Sequence, residues 1–341
     1  MAKDRVLVTG VSGFIAKHVA GLLLDSGFAV RGTVRSRDRA DEARAVLIDG
    51  ARDPSGLEIV DADLDRDDGW DEAMRCVRYV LHTASPFPAG TPRDRHALVP
   101  TAKGGALRVV AAADRAGVER LVLTSSVAAV YYGHEGRLDP RYTEANVSNV
   151  ESPSISAYAI SKTLAERAAW DAVSDSRLEL ATVNPALVLG PLADQRVGSS
   201  ISLLRMMMQG RLPVVPDVNI GIVDVRDVAE AHLRAMLVPE AAGRRFLLSA
   251  GSRSLREIGR AVAKDFPDFR RRMPRATIPD GLVRIAARFV PLAASVAPEL
   301  GVTKILDTTP AEELLGLRFH SPEEAIRATG EDLIRFGLVR R

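Results

Sequence analysis

The sequence predicts an α/β protein built on a doubly wound parallel sheet, with a smaller mixed lobe toward the C-terminus. Three observations carry that expectation. Short apolar runs recur along the first 184 residues, stretches with helical periodicity lie between most of them, and a glycine-marked turn, TGVSGFIA, joins the first run to the first helix. Strands separated by helices need crossover connections, and such crossovers produce a parallel sheet covered on both faces.

The elements follow in order. VLVT (6–9) is the first strand. After the turn, Ile15, Val19, Leu22 and Leu23 fall on one helix face, and Gly27 stands where a C-terminal cap glycine is expected. Further strands are expected at FAVRGTV (28–34), LEIV (57–60), VRYVLHT (77–83), RLVLTSS (120–126) and LELATV (178–183), with helices over 97–117 and 155–173. Beyond Pro185 the regularity fades into VLGPLADQRVGSS and LLRMMMQGRLPVVP. A strand–helix pair (221–237), another strand (244–250) and a proline-rich helical remainder follow. Residues 1–184 with 221–250 are therefore expected to form a nucleotide-binding domain, and 185–220 with 251–341 a substrate lobe.

Composition narrows the function. Apolar residues make up 46% and charged residues 26% of the 341, and the net charge is only +2, without a basic stripe that would suit a nucleic acid. Cys76 stands alone, which excludes an intrachain disulfide, and the six histidines show no metal-binding spacing. A strand begins by Arg5, so no signal peptide is expected and the chain is expected in the cytoplasm. Residues 281–298 are apolar, but Arg284, Arg288 and Pro291 interrupt them and they fall short of the ~20 residues of a membrane span. A buried or lid-like amphipathic helix fits them better.

In open parallel sheets, ligands bind beyond the carboxyl ends of the strands. Residues 9–16, 35–39, 82–86 and 124–126 are thus the places to look. Gly10 and Gly13, with Ser12, Phe14 and Ile15 around them, would let a pyrophosphate approach the backbone and the free N–H groups of the helix start. The third place in that glycine rhythm holds Ala16, where close helix–strand packing is the need; an ordinary strand-to-helix turn is the bland alternative. At the end of the second strand stand Arg35, then Arg37 and Arg39, where an NAD site would carry an acid. Guanidinium groups suit the 2′-phosphate of NADP, although a solvated basic loop would look the same.

Tyr158 and Lys162 are four apart and share a helix face. A phenol with a pKa near ~10 becomes a useful acid or base when an adjacent ammonium favours its ionised form. Ser125 and Ser126 end the fifth strand, where a hydroxyl could bind a carbonyl; alone, they read as small polar residues closing a buried strand. Met206 to Met208 suit either plain core or a flexible pocket wall. Asp224 and Asp227 read as caps and contacts between lobes.

Together these features resemble the extended short-chain dehydrogenase/reductase superfamily over nearly the whole chain. The matching segments are TGVSGFIA, Asp61–Leu64, LHTASP, TSSVAAV, YAISK, NPALVLGP and VDVRDVAEAH. VRGTVRS, LHTASP and TSSVAAV look most like its dihydroflavonol, cinnamoyl-CoA and aldehyde/ketone reductase branch. The resemblance implies a Rossmann domain, NADP(H) as cofactor, and Ser126, Tyr158 and Lys162 as the catalytic set, with Ser125 as the competing serine. It further implies Asp63 and Leu64 beside the adenine, Thr83, Ala84 and Ser85 along the cofactor, Lys162 at its ribose, and Pro185 and Leu187 beside the nicotinamide. Pro86, Val127, Met206 and Met207 are expected at the substrate pocket. One departure is Asn184, where the reductase branch more often has Arg or another residue. The expected activity is reduction of an aldehyde or ketone by NADPH, on a small-molecule substrate, by a monomer or homodimer. Alternatives are a nucleotide-sugar epimerase or dehydratase, a 3β-hydroxysteroid dehydrogenase-like enzyme, and a non-catalytic NADP sensor.

Overall fold

The computed structural model describes residues 3–51, 53–85, 92 and 94–340. Its main sheet is made of β1 (Arg5–Val8), β2 (Ala29–Val34), β3 (Leu57–Asp61), β4 (Tyr79–His82), β5 (Arg120–Thr124), β6 (Glu179–Pro185) and, after strands that belong to smaller sheets, β9 (Arg245–Leu248). All neighbours run parallel, in the order β9-β6-β5-β4-β1-β2-β3. The chain thus builds β1, β2 and β3 outward in one direction, then crosses back to lay β4 on the free side of β1. That reversal opens a crevice between the carboxyl ends of β1 and β4, the place where such sheets bind ligands.

Alternation along the strands explains why they read as continuous apolar runs. Val6 and Val8 of β1 face one core, with Leu81, Val122 and Phe246 from other strands. Against it pack Val19, Ala20 and Leu23 of α1 (Phe14–Asp25), together with Leu47 of α2 (Arg37–Gly50). Leu7 points the other way, with Val80, Leu121 and Leu180, onto Val109, Val110 and Ala113 of α3 (Val99–Arg115). Helix α4 (Ala157–Ala172) lies alongside α3 and carries Tyr158 and Lys162.

A second core gathers the rest. Strand β8 (Asn219–Asp224) pairs in parallel with β7 (Leu187–Leu189) and antiparallel with β10 (Ser252–Ser254). Around this small sheet lie α5 (Ser199–Met208), α7 (Leu255–Asp265) and α8 (Pro322–Arg335), burying Leu204, Met207, Ile258, Val262, Ile326 and Leu333 together. Ser254 with Glu257 and Ser321 with Glu324 form capping boxes that start α7 and α8 sharply. Between the two cores runs α6 (Val225–Leu237), whose Val228, Ala231 and Ala235 belong to the main sheet's core. Among the described residues, no helix is long and apolar enough to cross a membrane.

Candidate active site at the strand ends

The crevice begins at the turn after β1. Gly10 has φ +64°, and a Cβ there would sit 3.0 Å from the Cβ of Ala84, so backbone freedom and close approach both require glycine. Its N–H donates to Thr33 Oγ (3.0 Å) and its carbonyl accepts from Gly13 N–H (2.8 Å). Gly13 is the N-cap of α1 and supplies no side-chain acceptor, which leaves first-turn amides available to an anion. Ala16 is 2% exposed and packed in the main core, so its methyl fills helix–sheet space rather than the turn.

The facing strand end is latched to β1. Ala84 N–H donates to Thr9 Oγ (3.0 Å), and Thr83 Oγ donates to the Thr9 carbonyl. Thr9 Oγ also meets His82 Nδ1 at 2.8 Å, which ties the buried ring to the same strand end. Burial drives the His82 pKa down to about 3, so the ring stays neutral.

Two cavities share this turn and form one trough. The first, about 340 Å³, is bordered by Gly10, Ser12, Gly13, Arg35, Arg39, Asp63, Leu64, Thr83, Ala84 and Ser85. Arg35 and Arg39 are exposed, and neither is paired with a carboxylate among the described residues. The second, about 290 Å³, is bordered by Gly10, Gly13, Phe14, Ile15, Thr83, Ser85, Ser126, Tyr158, Lys162 and Pro185. An uncapped helix start over a glycine turn, with two free guanidiniums at one end, fits an elongated dinucleotide carrying an extra phosphate.

At the far end of the trough, Tyr158 is half-buried and its hydroxyl is hydrogen-bonded to the Ser126 side chain. Burial raises the phenol's pKa and that hydrogen bond partly offsets the rise. Lys162 was expected to favour the ionised phenol. Instead its Nζ donates to the Thr124 carbonyl (3.1 Å), and burial pushes its own pKa down to about 8 against the opposing pull of Glu166. The phenol is therefore held protonated, the form that can give up a proton.

The two serines serve different partners. Ser126 Oγ accepts from Ala128 N–H (3.1 Å), capping the turn at Val127–Ala129, and faces Tyr158. Ser125 Oγ donates to the buried carboxylate of Glu166. Thr124 Oγ meets His232 Nε2 at 2.6 Å, while His232 Nδ1–H donates to the Val228 carbonyl (2.7 Å); burial takes this imidazole down to about 4.

Some expected residues lie elsewhere. Val127 and Leu187 border neither cavity; Ala186 and Val188 take the place expected of Leu187. Met207 is fully buried in the second core and Met206 is 37% exposed, so neither meets the trough. Pro86 is outside the described residues. Asp224 caps α6 and pairs with Arg226, and Asp227 accepts from the backbone and ring of His320, which are the cap and contact roles expected of them. Sequence reasoning missed Thr33, Trp70 and Thr101 in the first cavity and Gly198 to Ile201 in the second. Of these, Thr33 alone had a local signal, as a polar residue inside an apolar strand.

A doubly wound sheet with a glycine turn at its switch point and a Ser–Tyr–Lys cluster on the same trough defines a dinucleotide-dependent class of protein. Residues 6–248 match the NAD dependent epimerase/dehydratase family, and the chain belongs to that family, within the extended short-chain dehydrogenase/reductases. The NADPH-dependent methylglyoxal reductase GRE2 of Saccharomyces cerevisiae is 31% identical over 354 residues, covering 97% of this chain and 98% of that protein. Cinnamoyl-CoA reductase CAD2 of Medicago truncatula is 35% identical over 251 residues, covering 71% and 75%. Among solved structures, yeast methylglyoxal/isovaleraldehyde reductase Gre2 complexed with NADPH aligns with a TM-score of 0.81 at 27% identity, over 98% of this chain and 99% of that one.

Proposed function

We propose that this chain is an NADPH-dependent reductase of a small aldehyde or ketone. The observation that carries the reading is the Ser126–Tyr158 hydrogen bond beside Lys162, on a trough that ends at Arg35 and Arg39, which pair with no carboxylate among the described residues. Gly10, Ser12, Gly13 and the amides of Phe14 and Ile15 would hold the pyrophosphate, Asp63 and Leu64 the adenine end, and Thr83 to Ser85 the middle. Bound there, NADPH would supply a hydride to the carbonyl carbon.

The protein's own part is to bind the carbonyl oxygen and deliver a proton to it. Ser126 Oγ and the Tyr158 hydroxyl converge on that oxygen, and Tyr158 gives its proton as negative charge develops there. Lys162 would hold the cofactor ribose and ease the proton's return to Tyr158. Pro185 and Ala186 border the same cavity as Tyr158. In the reverse direction the same groups oxidise an alcohol. The reductase names carried by relatives spanning nearly the full chain support this reading over an epimerase, which returns its hydride within one cycle and consumes no NADPH. We further take residues 1–184 with 221–250 as the nucleotide-binding part, and the rest as the part that shapes the substrate pocket.

Following NADPH and NADH absorbance with a panel of aldehydes, ketones and flavanones tests the proposal. Stoichiometric NADPH oxidation is expected, with NADH used poorly. A Tyr158→Phe variant is expected to lose at least about a hundredfold in kcat, the usual share of a positioned acid. Undiminished turnover in that variant would remove Tyr158 from its role, and equal use of NADH would remove the argument from Arg35 and Arg39.

A further inference from the structure

Behind the catalytic cluster lies a second set of charged groups that border no part of the trough. Glu166 follows Lys162 by one helical turn on α4 and is 3% exposed. Its carboxylate accepts from Ser125 Oγ, from Asn184 Nδ2 (2.9 Å) and from Arg245 Nε (2.6 Å). Those three donors come from the ends of β5, β6 and β9. Asn184 is itself a bridge. Its Nδ2 also donates to the Ser126 carbonyl (3.1 Å), and its Oδ1 accepts from Thr182 Oγ (3.0 Å). Arg245 Nη1 donates to the Glu144 and Asn146 carbonyls (2.5 and 2.7 Å), so the side chain is anchored on both sides.

We propose that Glu166, acting with Asn184 and Arg245, is a positioning residue that holds the Ser126 main chain and the Lys162 ammonium in register for the reaction. The proposal rests on the functional reading above. It explains the departure at Asn184: an amide can donate to a carboxylate and a carbonyl at once, whereas an Arg there would add a second buried cation beside Arg245. It also gives the buried carboxylate a purpose, since a charge this deep persists only where every lone pair is met and a countercharge is near.

The groups facing these charges are few. Lys162 faces Glu166 on its own helix, neutral His82 from β4 and the Thr124 carbonyl from β5. Glu166 faces Arg245 from β9, and Arg245 with Arg244 faces Glu144 from the preceding loop. Glu166 is thus the one carboxylate among these that opposes the loss of the Lys162 charge in its buried site.

The test is kinetic. Glu166→Gln keeps the shape and removes the charge. Its kcat is expected to fall about ten- to a hundredfold, the size of one lost charge-assisted hydrogen bond, with little change in NADPH affinity measured by fluorescence titration. The alkaline limb of its kcat profile is expected to move down by about one pH unit, because the lysine loses the neighbour that favoured its charged form. Asn184→Ala cuts the tie to Ser126 but keeps the Glu166 charge, so it is expected to lower kcat without moving that limb. A Glu166→Gln enzyme with wild-type kcat and an unmoved limb overturns the proposal. So does a loss of activity fully accounted for by a smaller folded fraction. If Glu166→Gln does not fold, Asn184→Ala decides: unchanged kcat overturns the proposal, and lowered kcat per folded molecule supports it. Tyr158→Phe distinguishes the two failures, because it reports on the functional reading whatever Glu166 does.

Discussion

Ser125 and Ser126 occupy adjacent positions at one strand end, yet only one hydroxyl meets the phenol. On the proposed mechanism the Ser126 oxygen would grip the substrate carbonyl, whereas the Ser125 hydroxyl is spent on a buried carboxylate. Ser126→Ala is therefore expected to cost roughly 2–4 kcal/mol of transition-state stabilisation, as removal of a donor at a developing oxyanion does. Ser125→Ala is expected to cost no more than the ~1 kcal/mol of an ordinary hydrogen bond. Steady-state kinetics of the two variants side by side checks this, and an equal loss in both would undo the distinction. Sequence alone left the two open, because adjacent residues on a strand end differ by facing, and facing here is decided by the helix that crosses behind.

Gly32 shows what the strand pattern concealed. In VRGTVRS it looks like a weak spot in a strand, since glycine there forfeits a packing side chain. In the fold, β2 runs under the turn that follows β1, and a Cβ on Gly32 would lie 2.6 Å from Val11 Cγ1 and 2.7 Å from its Cβ. Val11 is fully buried and has nowhere to retreat. Gly32→Ala is expected to destabilise the protein by about 1–3 kcal/mol through overpacking, read as a lowered urea midpoint. It should also weaken NADPH binding, because the displaced segment is the glycine turn; an unchanged midpoint and unchanged affinity would refute the argument.

The same contrast runs through the other elements. Strands β1, β2, β4, β5 and β6 were legible because nearly all their residues are buried on both faces, and β3, half-buried at the sheet edge, because of its apolar Leu57, Ile59 and Val60. The strand ends were legible because glycine and arginine are informative letters in a turn. Met206 and Met207 were not, since helical spacing gives a face but not what that face meets. The role of Glu166 was half visible: its spacing from Lys162 stands in the sequence, but its partner Arg245 lies on a strand whose neighbours only the topology reveals.

For the molecule as a whole, two buried neutral histidines set an acid limit. Burial holds His82 at about 3 and His232 at about 4 in the folded state. Unfolded, both titrate near 6.5. Below that pH the unfolded chain binds protons that the folded chain refuses. Stability is then fully present above about 6.5 and falls as the pH drops toward 4, by about 1.4 kcal/mol per pH unit for each histidine. Urea midpoints measured between pH 7.5 and 4.5 should fall steadily, and His232→Gln should flatten the slope. A midpoint independent of pH in that range would contradict the burial of these rings.

Every described residue that borders the trough lies before position 202. The countercharge for the helix that carries Tyr158 and Lys162 nevertheless arrives at Arg245, on a strand that takes its place at the edge of the sheet beside β6. A nascent chain can therefore carry every described residue of this trough while the carboxylate beneath it still lacks its partner. Completion of the sheet's edge and readiness of the catalytic helix become one event, so a half-assembled molecule carries the letters of the site without its working charge balance.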